Sequence, residues 1–95
     1  MDRLEAYREK LEAQLKEWKA KIEMLEKKAA EASGETKTEL MRAIGELRQK
    51  NGLVKEKWTE LQKESSAAWD TMKDGLEKAA SEFKSTLNKV VSRFK

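Results

Sequence analysis

The chain of 95 residues lacks cysteine, histidine and proline altogether and has only four glycines. Without cysteine and histidine it can form no disulfide, no zinc finger and no Cys/His nucleophile pair. Histidine is also the side chain that titrates nearest neutral pH, so acid–base catalysis would need strongly shifted carboxylates or lysines. A chain this short offers little interior in which to shift them. We therefore expect a protein that is not an enzyme and that uses no metal or cofactor.

Two further features are missing, an excess of one charge and a long apolar run. The 21 basic and 18 acidic residues leave a net charge of +3, and they are interspersed along the chain. Without a basic face or exposed stacking aromatics, nucleic-acid binding is not expected. No stretch approaches the ~20 apolar residues of a membrane span, and Met1 is followed by Asp2 and Arg3 instead of a signal sequence. We expect a cytoplasmic protein.

What the chain does have is a regular apolar stripe in a background rich in Ala, Glu, Lys, Leu and Arg, which is typical of long helices. One column recurs at every fifth helical turn, from Leu4 to Phe94. All six aromatic residues belong to the stripe, which is about 100° wide on a helical projection. We predict that it forms the core and the interaction face: Leu4, Tyr7, Leu11, Leu15, Trp18, Ile22, Leu25, Leu40, Ile44, Leu47, Val54, Trp58, Leu61, Trp69, Met72, Leu76, Phe83, Leu87, Val90 and Phe94.

Interruptions of the stripe predict where the helices end. Ser33 and Gly34 favour a helix end, and Thr36 with Glu39 has the spacing of a capping box for the next helix. Asn51-Gly52 is a turn-like dipeptide, but the stripe continues in phase through it, so we expect an unbroken helix there. Ser65 can cap a third helix. The prediction is one helical domain over 1–95, with helices at about 2–32, 37–64 and 66–93.

Helices of nearly equal length predict an all-α fold, an antiparallel helical hairpin extended to a three-helix up-down-up bundle. Folding the third helix parallel to the first, with their ends level, brings Leu15 beside Ala80. Folding the first onto the second brings Trp18 opposite Asn51. We expect the Trp18 indole N–H to donate to the Asn51 side-chain carbonyl.

The alternative architecture has the first helix packed on one continuous long helix over 37–93. The apolar surface from Trp69 to Phe94 would then be uncovered, so this form would have to dimerise.

Four segments resemble small bacterial coiled-coil proteins that are commonly labelled stress-response proteins. They are 7–18 (YREKLEAQLKEW), 46–48 (ELR), 68–75 (AWDTMKDG) and 92–94 (SRF). The resemblance spans essentially the full length. It implies a cytoplasmic, non-enzymatic helical protein, with no catalytic residues to carry over.

Two functional hypotheses follow. The first is a helical-bundle or coiled-coil interaction or scaffold protein, associated with stress, that self-associates or docks a partner helix. The second is peripheral membrane binding through 66–94, which is an amphipathic segment with Lys84, Lys89, Arg93 and Lys95 near its end. The partner is thus another copy or another helical protein in the first case and a membrane surface in the second.

Overall fold

A computed structural model describes residues 3–63 and 66–94. Three α-helices occupy these residues, α1 at Arg3–Glu31, α2 at Gly34–Lys63 and α3 at Ser66–Arg93. They contain 29, 30 and 28 residues, and the molecule measures 51 × 20 × 18 Å, so the helices lie side by side along one long axis. The predicted all-α three-helix bundle is confirmed.

Contacts between the helices establish their directions. Tyr7 meets Trp58 and Glu26 meets Arg48, so α1 and α2 are antiparallel. Trp18 meets Phe83, so α1 and α3 are parallel with their ends level, as the helix lengths predict. The chain therefore runs up, down and up.

The turn between α1 and α2 is shorter than predicted. Ala32 N–H donates to Lys28 O at 3.0 Å as α1 ends, and Gly34 then has a φ of 62° and begins α2. This left-handed conformation, which glycine adopts without steric cost, lets the chain reverse in a very short turn. The expectation that α2 begins near residue 37 with a Thr36–Glu39 capping box was wrong. Thr36 lies inside the first helical turn, and the Glu39 carboxylate accepts a hydrogen bond from Arg93 Nη2 at 2.9 Å.

The second reversal separates α2 from α3, and the two pack along their length. The alternative of one continuous helix over 37–93 was therefore wrong, because the apolar face of α3 is covered by α2 within the same chain. The predicted cap, Ser65, lies outside the described residues. As predicted, α2 continues unbroken through Asn51 and Gly52.

The stripe residues meet in the centre of the bundle. Fifteen of the twenty predicted residues are buried, and Tyr7, Leu15, Met72 and Phe94 pack against them while half-buried. The side chain of Leu4 lies outside the described residues. Ala29 and Ala79, which occupy stripe columns as small residues, are buried as well. No polar or charged residue in the described chain belongs to this buried set.

One predicted contact within the core was wrong. The side chain of Trp18 is directed to α3, where its ring centroid lies 4.6 Å from that of Phe83 at an interplanar angle of 41°. Asn51 Oδ1 is buried and accepts no hydrogen bond from the described residues. The physical reason is that aromatic contact in the core outweighs one hydrogen bond at its edge.

Candidate interaction surfaces

The first candidate surface is a groove of about 350 Å³ between α1 and α3, which we name the α1–α3 groove. It exists because α1 and α3 are each closer to α2 than to one another, and the Trp18 and Phe83 rings fill the space between them. The α1 wall is formed by Tyr7, Lys10, Leu11, Gln14 and Trp18, and the α3 wall by Glu77, Ala80, Ser81 and Lys84.

The floor of this groove is apolar. Leu11 and Trp18 are buried at 3% and 5% exposure, and Ala80 is half-buried. Because the side chain of Ala80 is small, Trp18 lines the groove although it is only 5% exposed. Apolar surface of this kind is stabilised when another apolar side chain covers it.

The groove continues toward the start of α1 into a second depression of about 300 Å³, lined by Ala6, Tyr7, Lys10, Trp69 and Lys73. The Tyr7 ring centroid lies 5.6 Å from that of Trp69 in an edge-to-face arrangement and 5.9 Å from that of Trp58. Lys73 Nζ lies 5.4 Å from the Tyr7 centroid and 5.2 Å from the Trp69 centroid, which is within cation–π range. This cluster closes one end of the bundle.

Burial raises the pKa of the Tyr7 phenol to about 12, and the nearby charge of Glu77 acts in the same direction. Both effects disfavour the phenolate, the first by removing water and the second by repulsion. Tyr7 is therefore a neutral aromatic wall of the groove at ordinary pH, not a nucleophile or base.

Cations dominate the rim of the α1–α3 groove. Lys73 Nζ lies 3.7 Å from a Glu77 carboxylate oxygen, so these two charges offset each other. Lys10 and Lys84 form no ion pair with any described residue, and they line opposite walls of the groove, on α1 and α3. The unbalanced charge at the rim is positive.

A second surface covers the side of α1 away from the core, and we name it the α1 outer face. It consists of Ala20, Glu23, Met24, Glu26, Lys27 and Ala30. Met24 is 58% exposed there. The face adjoins a groove of about 380 Å³ toward α2, where Ala29 and Ile44 form the floor and Met41, 57% exposed, forms an edge.

The stripe of α3 is not one of these surfaces. Trp69, Leu76, Phe83, Leu87 and Val90 are all buried against the other helices. Membrane binding by this amphipathic face would thus require α3 to leave the bundle. Within the described part of the chain, no helix has the length and apolar character needed to cross a bilayer.

Metal ligands do not gather on either surface, since the described residues contain no cluster of three or more acidic side chains that could hold an ion. The chain matches no protein-family model, no curated protein and no solved structure in the comparisons.

Of the groove residues, the stripe predicted Tyr7, Leu11 and Trp18. It did not predict Lys10, Gln14, Glu77, Ser81 and Lys84, which form the polar walls. A helical projection shows that these five flank the stripe. It does not show which neighbouring helix each flank faces, because that depends on whether the bundle turns left or right.

Proposed function

We propose that the protein is a non-enzymatic interaction module that docks an amphipathic partner helix in the α1–α3 groove. The observation that supports this most directly is the groove itself, whose apolar floor lies on the side of the bundle where packed rings hold two helices apart. A fourth helix laid there would convert three helices into a four-helix arrangement, which is a common way to cover apolar surface.

The charges define the chemistry of that partner. Lys10 and Lys84 lie on opposite rims, so a helix with an apolar stripe and Glu or Asp on both flanks would have a favourable contact on each side. A helix flanked by lysines would be repelled. A second copy of this chain presenting the same groove would also bring like charges together, so the proposed occupant is a different, acidic helix.

A cytoplasmic location and a link to stress belong to the same proposal. Both are supported by the resemblance of four segments of the chain to bacterial coiled-coil proteins that carry the stress-response label.

The test uses two synthetic helical peptides of equal length with the same leucine stripe, one flanked by Glu and one by Lys. Binding is followed by calorimetry and by tryptophan fluorescence. We expect the acidic peptide to bind and the basic peptide not to bind. Reversing both rim charges with Lys10→Glu and Lys84→Glu should lower the affinity for the acidic peptide by about tenfold, as expected for the loss of two exposed charge contacts.

The matched control reverses two lysines on α2, Lys55→Glu and Lys63→Glu, which are exposed and do not line the groove. It changes the net charge equally and should leave the affinity close to that of the wild-type chain. Equal binding of both peptides, or equal weakening by the two double variants, would show that general charge attraction is responsible and would reject the groove.

A further inference from the structure

We propose that the protein also forms an antiparallel dimer through the α1 outer face, with a second copy of the chain as the partner. This inference does not rest on the proposed function, because the α1 outer face and the α1–α3 groove share no residue. It rests on the spacing and the charges of four exposed residues.

The spacing is that of a coiled-coil seam. Ala20, Glu23, Lys27 and Ala30 are exposed and follow one another at alternating intervals of three, four and three positions. Residues so spaced lie in one line along a helix, as the a and d positions of a heptad do. This line points away from the core stripe, so it is a second seam on the same helix.

When two copies of this line pair antiparallel, the charges of one copy are complementary to those of the other. In an antiparallel pair with the two-fold axis near residue 25, facing residue numbers add up to 50. Glu23 then faces Lys27 of the second copy, and Lys27 faces its Glu23. A symmetric pair repeats every contact twice, so the pairing brings together two opposite-charge contacts. In a parallel pair Glu23 would face Glu23, which is repulsive.

The small residues in the line permit close approach. Ala20 faces the second copy's Ala30 at one end of the contact, and the same pair recurs at the other end. Met24 lies beside the centre of the line, where an unbranched, flexible side chain can cover the apolar surface between the two helices. The contact is small and partly charged, so we expect a weak dimer that forms at high protein concentration.

The first experiment is sedimentation equilibrium of the full chain across a range of concentrations. Glu23→Lys places lysine against Lys27 twice in the dimer and should raise the dissociation constant by about tenfold. The double reversal Glu23→Lys with Lys27→Glu restores opposite charges and should return the constant toward that of the wild-type chain. Glu60→Lys, an exposed change of the same charge on α2, serves as the control.

The second experiment uses the absence of native cysteine. In the antiparallel pair the two copies of Ala20 lie about 15 Å apart along the helix axis, which is beyond the ~7 Å between Cα atoms that a disulfide allows. A mixture of Ala20→Cys and Ala30→Cys chains should therefore form the mixed disulfide faster than either chain forms its own. Helical content by circular dichroism checks that each variant is folded.

A wild-type chain that is monomeric at every concentration would overturn the proposal. So would a dimer that Glu23→Lys does not weaken, or one in which Ala20→Cys chains preferentially link to themselves.

Discussion

Trp18 and Phe83 belong to the first and the third helix, and their ring centroids lie 4.6 Å apart between α1 and α3. The pair joins these two helices, and it also keeps their backbones far enough apart to leave the α1–α3 groove. One contact thus contributes to stability and shapes the surface that we propose for partner binding.

Truncation of this contact should be costly. Trp18 is 5% exposed, so Trp18→Ala removes a large buried ring and leaves a cavity; we expect a loss of about 3–5 kcal/mol in unfolding free energy. Urea denaturation followed by circular dichroism measures it. Met24→Ala, at a 58% exposed position of the same helix, should change the unfolding free energy by less than about 0.5 kcal/mol. A similar small loss for Trp18→Ala would contradict the burial described for this ring.

Replacing glycine by alanine should change the stability in opposite directions at two of the four glycine positions, Gly34 and Gly52. Gly34 has a φ of 62°, so Gly34→Ala forces a left-handed alanine and should cost about 1–2 kcal/mol. Gly52 lies inside α2, and an added Cβ would meet no atom within 4 Å, so Gly52→Ala should stabilise the chain by about 1 kcal/mol through helix propensity. Thermal unfolding of the two variants checks that the stability falls in the first and rises in the second. A change in the same direction in both would contradict the conformations described for Gly34 and Gly52.

Asn51 offers a route to a more stable chain. Its Oδ1 is buried and accepts no hydrogen bond from the described residues, which carries a desolvation cost without a compensating contact. Asn51→Leu replaces this half-buried amide, with its buried oxygen, by an apolar side chain and should raise the unfolding free energy by about 1 kcal/mol in chemical denaturation. Gln49→Leu, at an exposed position on the same helix, controls for the gain in helix propensity. If the unfolding free energy rises equally in both variants, the buried oxygen is not the source of the stabilisation.

Stability should fall in alkaline solution through Tyr7. Burial raises its pKa from 10.0 to about 12 in the folded chain, so the unfolded chain loses the phenolic proton first as pH rises. The stabilising contribution is therefore complete below about pH 10 and is lost between about pH 10 and 12. Denaturation midpoints of the wild-type chain should decrease over this range more steeply than those of Tyr7→Phe.

Tyr7 is also the single tyrosine of the chain, so the change in tyrosinate absorbance with pH reports its titration without a contribution from any other tyrosine. A midpoint near 10 in the folded protein would contradict the burial of the phenol.

The apolar period by itself determined the helical class, because residues that recur on one helical face along the whole chain can be buried only by packing helices together. It also placed the side chains of the core, including Leu47, Val54 and Phe83, which have 0% exposure. The alignment of α1 with α3 followed from the helix lengths and the need to bring the stripes level.

Only the tertiary structure decided how the helices meet at their edges. The turn at Gly34 is shorter than its polar residues suggested, since one left-handed glycine reverses the chain without a capping box, and Glu39 is then near enough to pair with Arg93 of α3. Likewise, the positions of Lys10 and Lys84 across the groove depend on the sense in which the three helices wind about one another. The apolar period does not specify this handedness, because the stripe of each helix packs equally well in a left-turning and in a right-turning bundle.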